Sequence, residues 1–464
     1  MGFAPGWDAS AMDGIGAGKT VLCHGCFDLL HLGHLRHLEE AAALGDRLVV
    51  SITADDHVNK GHGRPHFHAE QRREALRKLS FVDEVIISDG PTAVETIRRV
   101  RPAFYVKGVD YADKADDPGL AAEREAVEGV GGQLIITTSE KWSSTKLLRS
   151  VKLSGQALAY IEHARAQGYL DRILDAFERA DKLSVLFVGE TIMDEYRYEK
   201  PLGKSSKEFI VVTVAAGHEL FDGGILAAAK HGGWQNHRIA TSVSTITKTR
   251  YVDVDFNRKL SESYSSRDIE PMDDHQRDQL KQLVGEADVV VTIDFGHGMI
   301  GVAEREILQG AKWLAVTAQT NAGNYGFNPV TKYQHADYVC VDEQEARLAA
   351  GHQGGTVDQA MFRIMQKMRP DAMTVTRGRY GSVSRAANAN ATFEVPAFIE
   401  AGFDTMGSGD AFLAVAGPLV AAGLNVEVAA FVGNVAGGLK TAILGHRRHV
   451  GRDDIIKNLE WLLK

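Results

Sequence analysis

The sequence predicts two α/β domains, each built around a doubly wound parallel sheet, and three observations support this prediction. The chain has 464 residues, whereas a single hydrophobic core usually stops growing at roughly 250–300 residues. Short runs of β-branched residues alternate with helical stretches in two separate series, as in parallel sheets with helices on both faces. Hydrophobic residues make up 44% of the chain and charged residues 24%, which is typical of folded globular proteins.

The first series occupies residues 19–150 and predicts a Rossmann-like domain. Residues 1–18 before it contain five glycines and no periodic apolar pattern, so we expect a mobile N-terminal tail. The predicted strands of the first domain are 20–23, 47–52, 84–87, 104–106 and 133–136.

The second series occupies residues 184–464 and predicts a second, larger domain. Between the two series, residues 151–183 place Leu170, Ile173 and Phe177 on one helical face, so we expect a helical linker that can pack against a domain. The predicted strands of the second domain include 184–188, 288–293, 312–316 and 372–376.

The charge balance argues against polyanionic partners. The formal net charge is −9 at pH 7, so we expect binding neither to nucleic acid nor to an anionic membrane. No apolar run approaches the ~20 residues that span a bilayer, and three cysteines are too few for a disulfide framework. We therefore expect a cytoplasmic protein.

The segment GCFDLLHLGH, residues 25–34, predicts a first phosphate site. It joins a strand to a helix by a tight turn, and a helix N-terminus attracts anions. His31 and His34 flank Gly33, so two imidazoles can approach phosphate oxygens while the glycine lets the backbone come close. We predict that both histidines are catalytic, with Gly25, Phe27, Asp28 and Gly33 around the nucleotide.

A zinc site is the weaker interpretation of this region. The Cys23-x-x-Cys26 and His31-x-x-His34 pairs have the right residue types. Structural zinc sites, however, usually need a longer loop between the two pairs of ligands.

The segments 25–34, 59–65, 70–72, 106–111 and 142–146 together resemble the cytidylyltransferase-like nucleotidyltransferases. They are most similar to the nucleotidyltransferase half of the bifunctional ADP-heptose synthases. The resemblance implies in-line attack of a substrate phosphate on the α-phosphorus of a nucleoside triphosphate, usually with Mg²⁺. The further nucleotide-binding candidates are Lys60, Arg64, Arg72, Lys107, Ser143, Ser144 and Thr145, and Asp110 is a substrate-binding candidate.

The segment GFDTMGSGDAF, residues 402–412, predicts a second phosphate site. A glycine-rich turn again opens a helix, and the N–H groups of Gly407, Ser408 and Gly409 would face a migrating phosphoryl group. Asp410 could accept the proton of an attacking hydroxyl, which makes it the candidate general base.

Residues 184–464 resemble the phosphofructokinase-B/ribokinase family in the order of their motifs. The resemblance implies that Asp194, Gly223 and Gly224 bind the sugar. It also implies that Glu345 binds nucleotide phosphate and organises Mg²⁺ indirectly. Thr376, Gly378 and Gly381 would then bind the nucleotide.

Sugar recognition is where the chain departs from that family. Ala228 and Asp342 stand where Asn is usual. The polar segment 319–328 either lines an unusual acceptor pocket or forms an ordinary surface loop.

Together the motifs predict a bifunctional enzyme of nucleotide-sugar biosynthesis that resembles ADP-heptose synthases with the domain order reversed. The kinase would phosphorylate a sugar with ATP, heptose 7-phosphate at C1 being the leading guess, and the transferase would use ATP or CTP. One alternative is a cytidylyltransferase making a CDP-polyol or CDP-sugar. Another is a transferase regulated by a non-catalytic, sugar-sensing kinase-like domain. We expect a homo-oligomer.

Overall fold

The computed structural model describes residues 19–58, 65–88, 90–108, 111, 117–137, 153–256, 258–389, 391–399, 402 and 404–464. The chain divides into two compact units, residues 1–151 and 152–464. Among the described residues, no helix has the length and apolar character required to cross a membrane.

The first unit contains a five-stranded sheet in the order β3-β2-β1-β4-β5, with every neighbouring pair parallel. Its strands are β1 (Thr20–Gly25), β2 (Arg47–Thr53), β3 (Glu84–Ser88), β4 (Phe104–Lys107) and β5 (Gln133–Ile136). Its helices are α1 (Leu32–Ala42), α2 (Ala69–Arg77), α3 (Val94–Val100) and α4 (Pro118–Gly129).

Helices cover both faces of this sheet, as predicted. Leu38 of α1 and Leu76 of α2 pack in one core, whereas Ile97 of α3 and Val127 of α4 pack in the other. The strand order reverses around β1, so the loop that follows Gly25 lies at the crevice where doubly wound sheets bind ligands.

The second unit contains an eight-stranded sheet in the order β17-β16-β15-β14-β13-β12-β6-β9, parallel except for the two pairs that involve β16. The first six strands of this unit are β6 (Val185–Gly189), β7 (Thr191–Lys204), β8 (Val211–Gly224), β9 (His237–Ala240), β10 (Ile246–Asp253) and β11 (Arg258–Tyr264). Of these, β7, β8, β10 and β11 form a second, smaller sheet. The remaining strands are β12 (Val289–Asp294), β13 (Leu314–Ala318), β14 (Tyr338–Asp342), β15 (Ala372–Thr376), β16 (Ser382–Ala386) and β17 (Phe393–Val395).

Ten helices of four or more residues accompany these strands in the described part of the second unit. They are α5 (Gly155–Ala166), α6 (Tyr169–Ala180), α7 (Ile225–Ala228), α8 (Asp274–Glu286), α9 (Val302–Leu308), α10 (Glu343–Ala350), α11 (Val357–Met368), α12 (Ser408–Ala421), α13 (Val426–Thr441) and α14 (Arg452–Leu463). Two separate cores lie on the two faces of the large sheet. The prediction of a second doubly wound domain is therefore confirmed.

A four-stranded sheet in the order β11-β10-β7-β8 was not predicted. Buried residues alternate with more exposed ones along β10 and the first part of β7, whereas β8 and β11 expose most of their residues. Strands β7 and β8 form a long antiparallel hairpin. This sheet carries Asp194 on β7 and ends at Gly223 and Gly224 on β8, so it brings the predicted sugar-binding residues together.

The segment assigned to a linker forms the two helices α5 and α6, separated at Gly168. Gly168 has φ 63°, a left-handed conformation that glycine adopts without strain. Ile161, Ile173 and Phe177 are buried in a core of the second unit. These helices thus form part of that unit's packing.

Candidate functional site

The two histidines of the first site lie together at the start of α1. His31 caps this helix, and its Nδ1 accepts a hydrogen bond from the backbone N–H of His34 at 3.3 Å. The two imidazole rings are stacked, with centroids 3.8 Å apart. Because the accepting Nδ1 holds no proton, a neutral His31 carries its proton on Nε2, where it can be donated to a phosphate oxygen.

The turn before these histidines is conformationally unusual. Phe27 has φ 47°, in the left-handed region that non-glycine residues seldom occupy, and such strain often marks a functional loop. Its ring packs edge-on against His34, with centroids 5.2 Å apart. A Cβ at Gly25 would lie 3.0 Å from the Phe27 ring, so a larger residue at position 25 would push that ring, which packs on His34, by a few tenths of an ångström.

Asp28 joins this turn to the next loop. Its Oδ1 accepts the backbone N–H groups of His66 and Phe67, at 2.8 and 3.0 Å. Asp28 is thereby placed to fix the shape of the site.

Arg72 is positioned differently from the prediction that it contacts the triphosphate. Its side chain is fully buried and ion-paired with Asp55. It also donates to the carbonyls of Cys26, Thr53 and Phe67. In this conformation its donors stabilise three loops around the site, so any effect on the nucleotide would be indirect.

Lys107 is also buried, and its ammonium lies 2.9 Å from the carboxylate of Glu123. Burial and the nearby charge of Lys107 lower the pKa of His24 and of His37 to about 4. Both histidines are therefore neutral at physiological pH. His37 follows His34 by three residues on α1, and its Nδ1 lies 3.0 Å from the hydroxyl of Thr137.

Six predicted residues of the first site lie outside the described residues. They are Lys60, Arg64, Asp110, Ser143, Ser144 and Thr145.

The second site lies at the start of α12, where the predicted turn is present. Gly407 caps this helix with φ 70°, a conformation that favours glycine. The N–H of Ser408 already donates to the carbonyl of Thr405 at 3.3 Å, so the expected set of three phosphate donors is reduced. For Gly407 and Gly409, no acceptor lies within hydrogen-bond distance of the N–H among the described residues.

Asp410 follows this turn in the first turn of α12 and borders a wide cleft. Burial raises its pKa to about 6, while the charges of His446, Lys248 and Lys440 oppose the rise. A carboxylate of this pKa is ionised at neutral pH and can still accept a proton, as a general base must.

Gln319, at the end of β13, holds the carboxylate of Asp410. Its Nε2 donates to Asp410 Oδ1 at 2.5 Å. No motif in the sequence separates Gln319 from the other amides of the segment 319–328. Asn324 and Asn328 instead bind the backbone carbonyls of residues 294, 295 and 319 and support the loop from within.

The cleft beside Asp410 has a volume of about 610 Å³ and is bordered by the small sheet. Asp194 reaches it from β7, with one oxygen bound to Arg250 and the other 2.9 Å from His446 Nε2. A Cβ at Gly223 would lie 2.3 Å from Asp194 Oδ2, so only glycine leaves room for this carboxylate. Gly224 has φ 58° and also borders the cleft.

Basic side chains that sequence reasoning missed border the same cleft. Lys248 and Arg250 lie on β10, and His446 lies in the loop between α13 and α14. Lys440 is fully buried behind the Gly407 turn, where its Nζ donates to the carbonyl of Gly445 at 2.8 Å.

Glu345 lies opposite, in the first turn of α10. Its two oxygens accept the N–H groups of Thr320 and Asp342, at 3.0 and 2.9 Å. Burial and the charge of Asp342 raise the pKa of Glu345 to about 8.

These carboxylates fit Mg²⁺ in an indirect role. The described residues contain no group of three or more side chains arranged to hold a metal. Mg²⁺ usually keeps several waters and binds through one or two carboxylates together with substrate phosphates. A cation near Glu345 would also relieve the repulsion between Glu345 and Asp342.

A second, narrower cleft of about 140 Å³ adjoins the first. Thr376, Gly378, Ser408 and Gly409 border both clefts. Gly381 borders only the narrower one, between β15 and β16. The predicted sugar-binding residues Asp194 and Gly224 therefore share the wider cleft with Glu345, Thr376 and Gly378, which are predicted to bind the nucleotide.

Comparisons with known proteins find a family model that matches each of the two parts of the chain. Residues 22–150 match the model of the cytidylyltransferase-like family. Residues 211–447, just over half of the chain, match the model of the pfkB family of carbohydrate kinases.

Two sequence relatives match the first domain. The chain is 40% identical over 137 residues to the bifunctional protein HldE of Methylococcus capsulatus. It is 41% identical over 132 residues to HldE of Koribacter versatilis. These matches span 29% and 28% of this chain and only 28% and 26% of the two relatives.

Solved structures match the second half. Phosphofructokinase-2 from Escherichia coli, in complex with potassium, aligns with a TM-score of 0.48 and 14% identity, over 61% of this chain and all of that one. Ribokinase from Arabidopsis thaliana, complexed with ribose and ATP, aligns with a TM-score of 0.46 and 16% identity, over 60% and 99%.

Proposed function

Because the chain belongs to the pfkB family of carbohydrate kinases, we propose that its second unit transfers the γ-phosphoryl group of ATP to a sugar hydroxyl. We further propose that the cytidylyltransferase-like domain couples a sugar phosphate to a nucleoside triphosphate. The observation that carries the proposal is the position of Asp410, which borders the wider cleft directly after Ser408 and Gly409, two residues that line both clefts. A carboxylate beside that junction can contact an acceptor in the wider cleft and a phosphoryl donor held at the turn.

In the proposed kinase step, Asp410 takes the proton of the acceptor hydroxyl as its oxygen attacks the γ-phosphorus. The new P–O bond forms as the bond to the β-phosphate oxygen breaks, and ADP leaves. The free N–H groups of Gly407 and Gly409 would donate to the phosphoryl oxygens, aided by the positive end of α12. Mg²⁺, held through Glu345 and water, would neutralise phosphate charge when bound.

In the proposed transferase step, an oxygen of the acceptor phosphate attacks the α-phosphorus, and pyrophosphate leaves. His31 and His34 would donate hydrogen bonds to the α-phosphate as its charge grows. This step requires no general base, because the attacking phosphate is already ionised near neutral pH.

Two assays on the same purified chain test the proposal. The first measures ADP formation from ATP with a panel of sugars and sugar phosphates that includes heptose 7-phosphate. The second measures pyrophosphate release from ATP, CTP, GTP or UTP with heptose 1-phosphate or glycerol 3-phosphate. We expect ADP formation with one sugar and pyrophosphate release with ATP and heptose 1-phosphate.

The family description favours a second candidate for the transferase, a CTP-dependent enzyme that makes a CDP-polyol or CDP-sugar. Pyrophosphate release only with CTP would support this candidate. Failure of every sugar to stimulate ADP formation, with pyrophosphate release intact, would overturn the kinase proposal and support a sugar-sensing domain.

A further inference from the structure

Strand β10 places two cations on a face that would ordinarily be apolar. Ile246, Lys248, Arg250 and Val252 alternate along the strand and are all buried, whereas the residues between them are more exposed. Side chains two residues apart share one face of a strand. Lysine and arginine are rarely buried without a partner, so a break in the apolar pattern is expected at a functional site.

Arg250 has its partners within the protein. It is ion-paired with Asp194, and its Nε lies 3.0 Å from the carboxylate of Glu262. Its charge is therefore neutralised by the small sheet itself.

Lys248 has no such partner. It is 8% exposed and borders the cleft beside Asp410. Within the described part of the chain, no carboxylate lies within 4.0 Å of its Nζ. The nearest aromatic group is the ring of Tyr264, whose centroid is 5.0 Å away.

Asp194 is adjacent to Lys248 in the register of β7 and β10, yet its oxygens are engaged by Arg250 and His446. Across the cleft, Asp410 is held by Gln319. A buried ammonium without a counter-ion is costly, and an anionic ligand in the cleft would remove this cost.

We propose that Lys248 binds an anionic group of the acceptor sugar, a phosphate or a carboxylate, at a distance from the hydroxyl that is phosphorylated. The inference rests on the proposed kinase function and names a specificity-determining residue for it. Lys248 pairs in register with Asp194, which is predicted to bind the sugar, and both border the wider cleft only. Thr376 and Gly378, which are predicted to bind the nucleotide, also border the narrower cleft. Its ligand is therefore the acceptor and not the transferred phosphoryl group.

The test compares Lys248→Met with wild type in steady-state kinase assays. Methionine keeps the unbranched side chain and removes the charge. The acceptors are matched sets: a sugar phosphate, the corresponding sugar acid and the neutral sugar. Lys230→Met is the control, because Lys230 is exposed and already paired with Asp222 at 3.2 Å. Lys248→Arg should restore the preference for the charged acceptor.

Loss of a charge-assisted hydrogen bond predicts that Lys248→Met raises KM for the anionic acceptor about 10- to 100-fold. KM for the neutral sugar should change little, and Lys230→Met should behave as wild type. The acceptor set that shows the effect distinguishes phosphate from carboxylate. An equal loss of kcat with charged and neutral acceptors would overturn the inference and place Lys248 on the phosphoryl group.

A wild-type enzyme that phosphorylates only neutral sugars would also overturn the inference while leaving the kinase proposal intact. If no acceptor is phosphorylated, the kinase proposal fails. A measurement of anion binding then tests the role of Lys248 separately. Inorganic phosphate would then be titrated by calorimetry with a non-hydrolysable ATP analogue present. Weaker binding by Lys248→Met than by Lys230→Met would support the anion site, and equal binding would overturn it.

Discussion

The two predicted phosphate sites share one backbone arrangement but carry different side chains. In each, a tight turn leads into the N-terminus of a helix, α1 after Gly25 and α12 after Gly407. At α1 the proposed catalytic side chains are two stacked imidazoles. At α12 the proposed catalytic side chain is the carboxylate of Asp410, and burial raises its pKa to about 6.

This difference corresponds to the protonation state of each proposed nucleophile. A sugar hydroxyl must lose a proton as it attacks, so the kinase site needs a base. A phosphate monoester is already an anion, so the transferase site needs only donors for the charge that builds on the α-phosphate. The chemistry of the acceptor thus explains why one helix N-terminus carries a carboxylate and the other carries histidines.

The sharpest test of this comparison is Asp410→Asn. Asparagine keeps the shape of the side chain and removes the base, so we expect ADP formation to fall about 100- to 10,000-fold. Pyrophosphate release should be unchanged, since it needs no base in this unit. Both rates can be measured on one protein preparation, and full kinase turnover by the variant would refute the role of Asp410.

His34→Ala should produce the reverse pattern. Removing one donor to a developing negative charge typically costs about 100- to 1,000-fold in kcat. We expect pyrophosphate release to fall by that factor and ADP formation to stay at the wild-type rate. Asp410→Asn serves as the matched control, because each variant should impair one activity only. A His34→Ala variant with undiminished pyrophosphate release would contradict the catalytic assignment.

Much of the fold was predictable because it depends on local patterns. The β-branched runs that predicted strands at 20–23 and 372–376 coincide with β1 and β15. The small sheet was missed because β7, β8 and β11 expose many side chains, so their sequences lack the continuous apolar runs of buried parallel strands.

The candidate sites were predictable where residues are close in sequence. One short motif contains both His31 and His34, and another contains both Gly407 and Asp410. A motif is therefore sufficient to identify each pair. Lys248 and Gln319 lie in other elements, 162 and 91 residues from Asp410, and only the folded chain brings them to the same cleft. Arg72 is a different case. Its motif gives the position of the arginine in the sequence but not the carboxylate and carbonyl groups that its side chain contacts in the folded protein.

Gln319 offers the test with the smallest expected effect. It contacts Asp410, the proposed general base, and no general base is proposed for the transferase site. Its amide donates to the ionised form of Asp410 and so favours the charged carboxylate. In Gln319→Met the pKa of Asp410 should rise from about 6 by about one pH unit, as loss of one charge-assisted hydrogen bond predicts. Because the base must be ionised, kinase kcat/KM should fall at pH 6 and change little at pH 8.

The pH profile of ADP formation measures this shift, and Gln282→Met, which alters an exposed side chain on α8, provides the control. A uniform loss of kinase activity at every pH would show that Gln319 only positions the carboxylate. A profile that is unchanged in both shape and height would separate Gln319 from catalysis altogether. Pyrophosphate release should be unaffected at each pH, since no carboxylate base is assigned to that site.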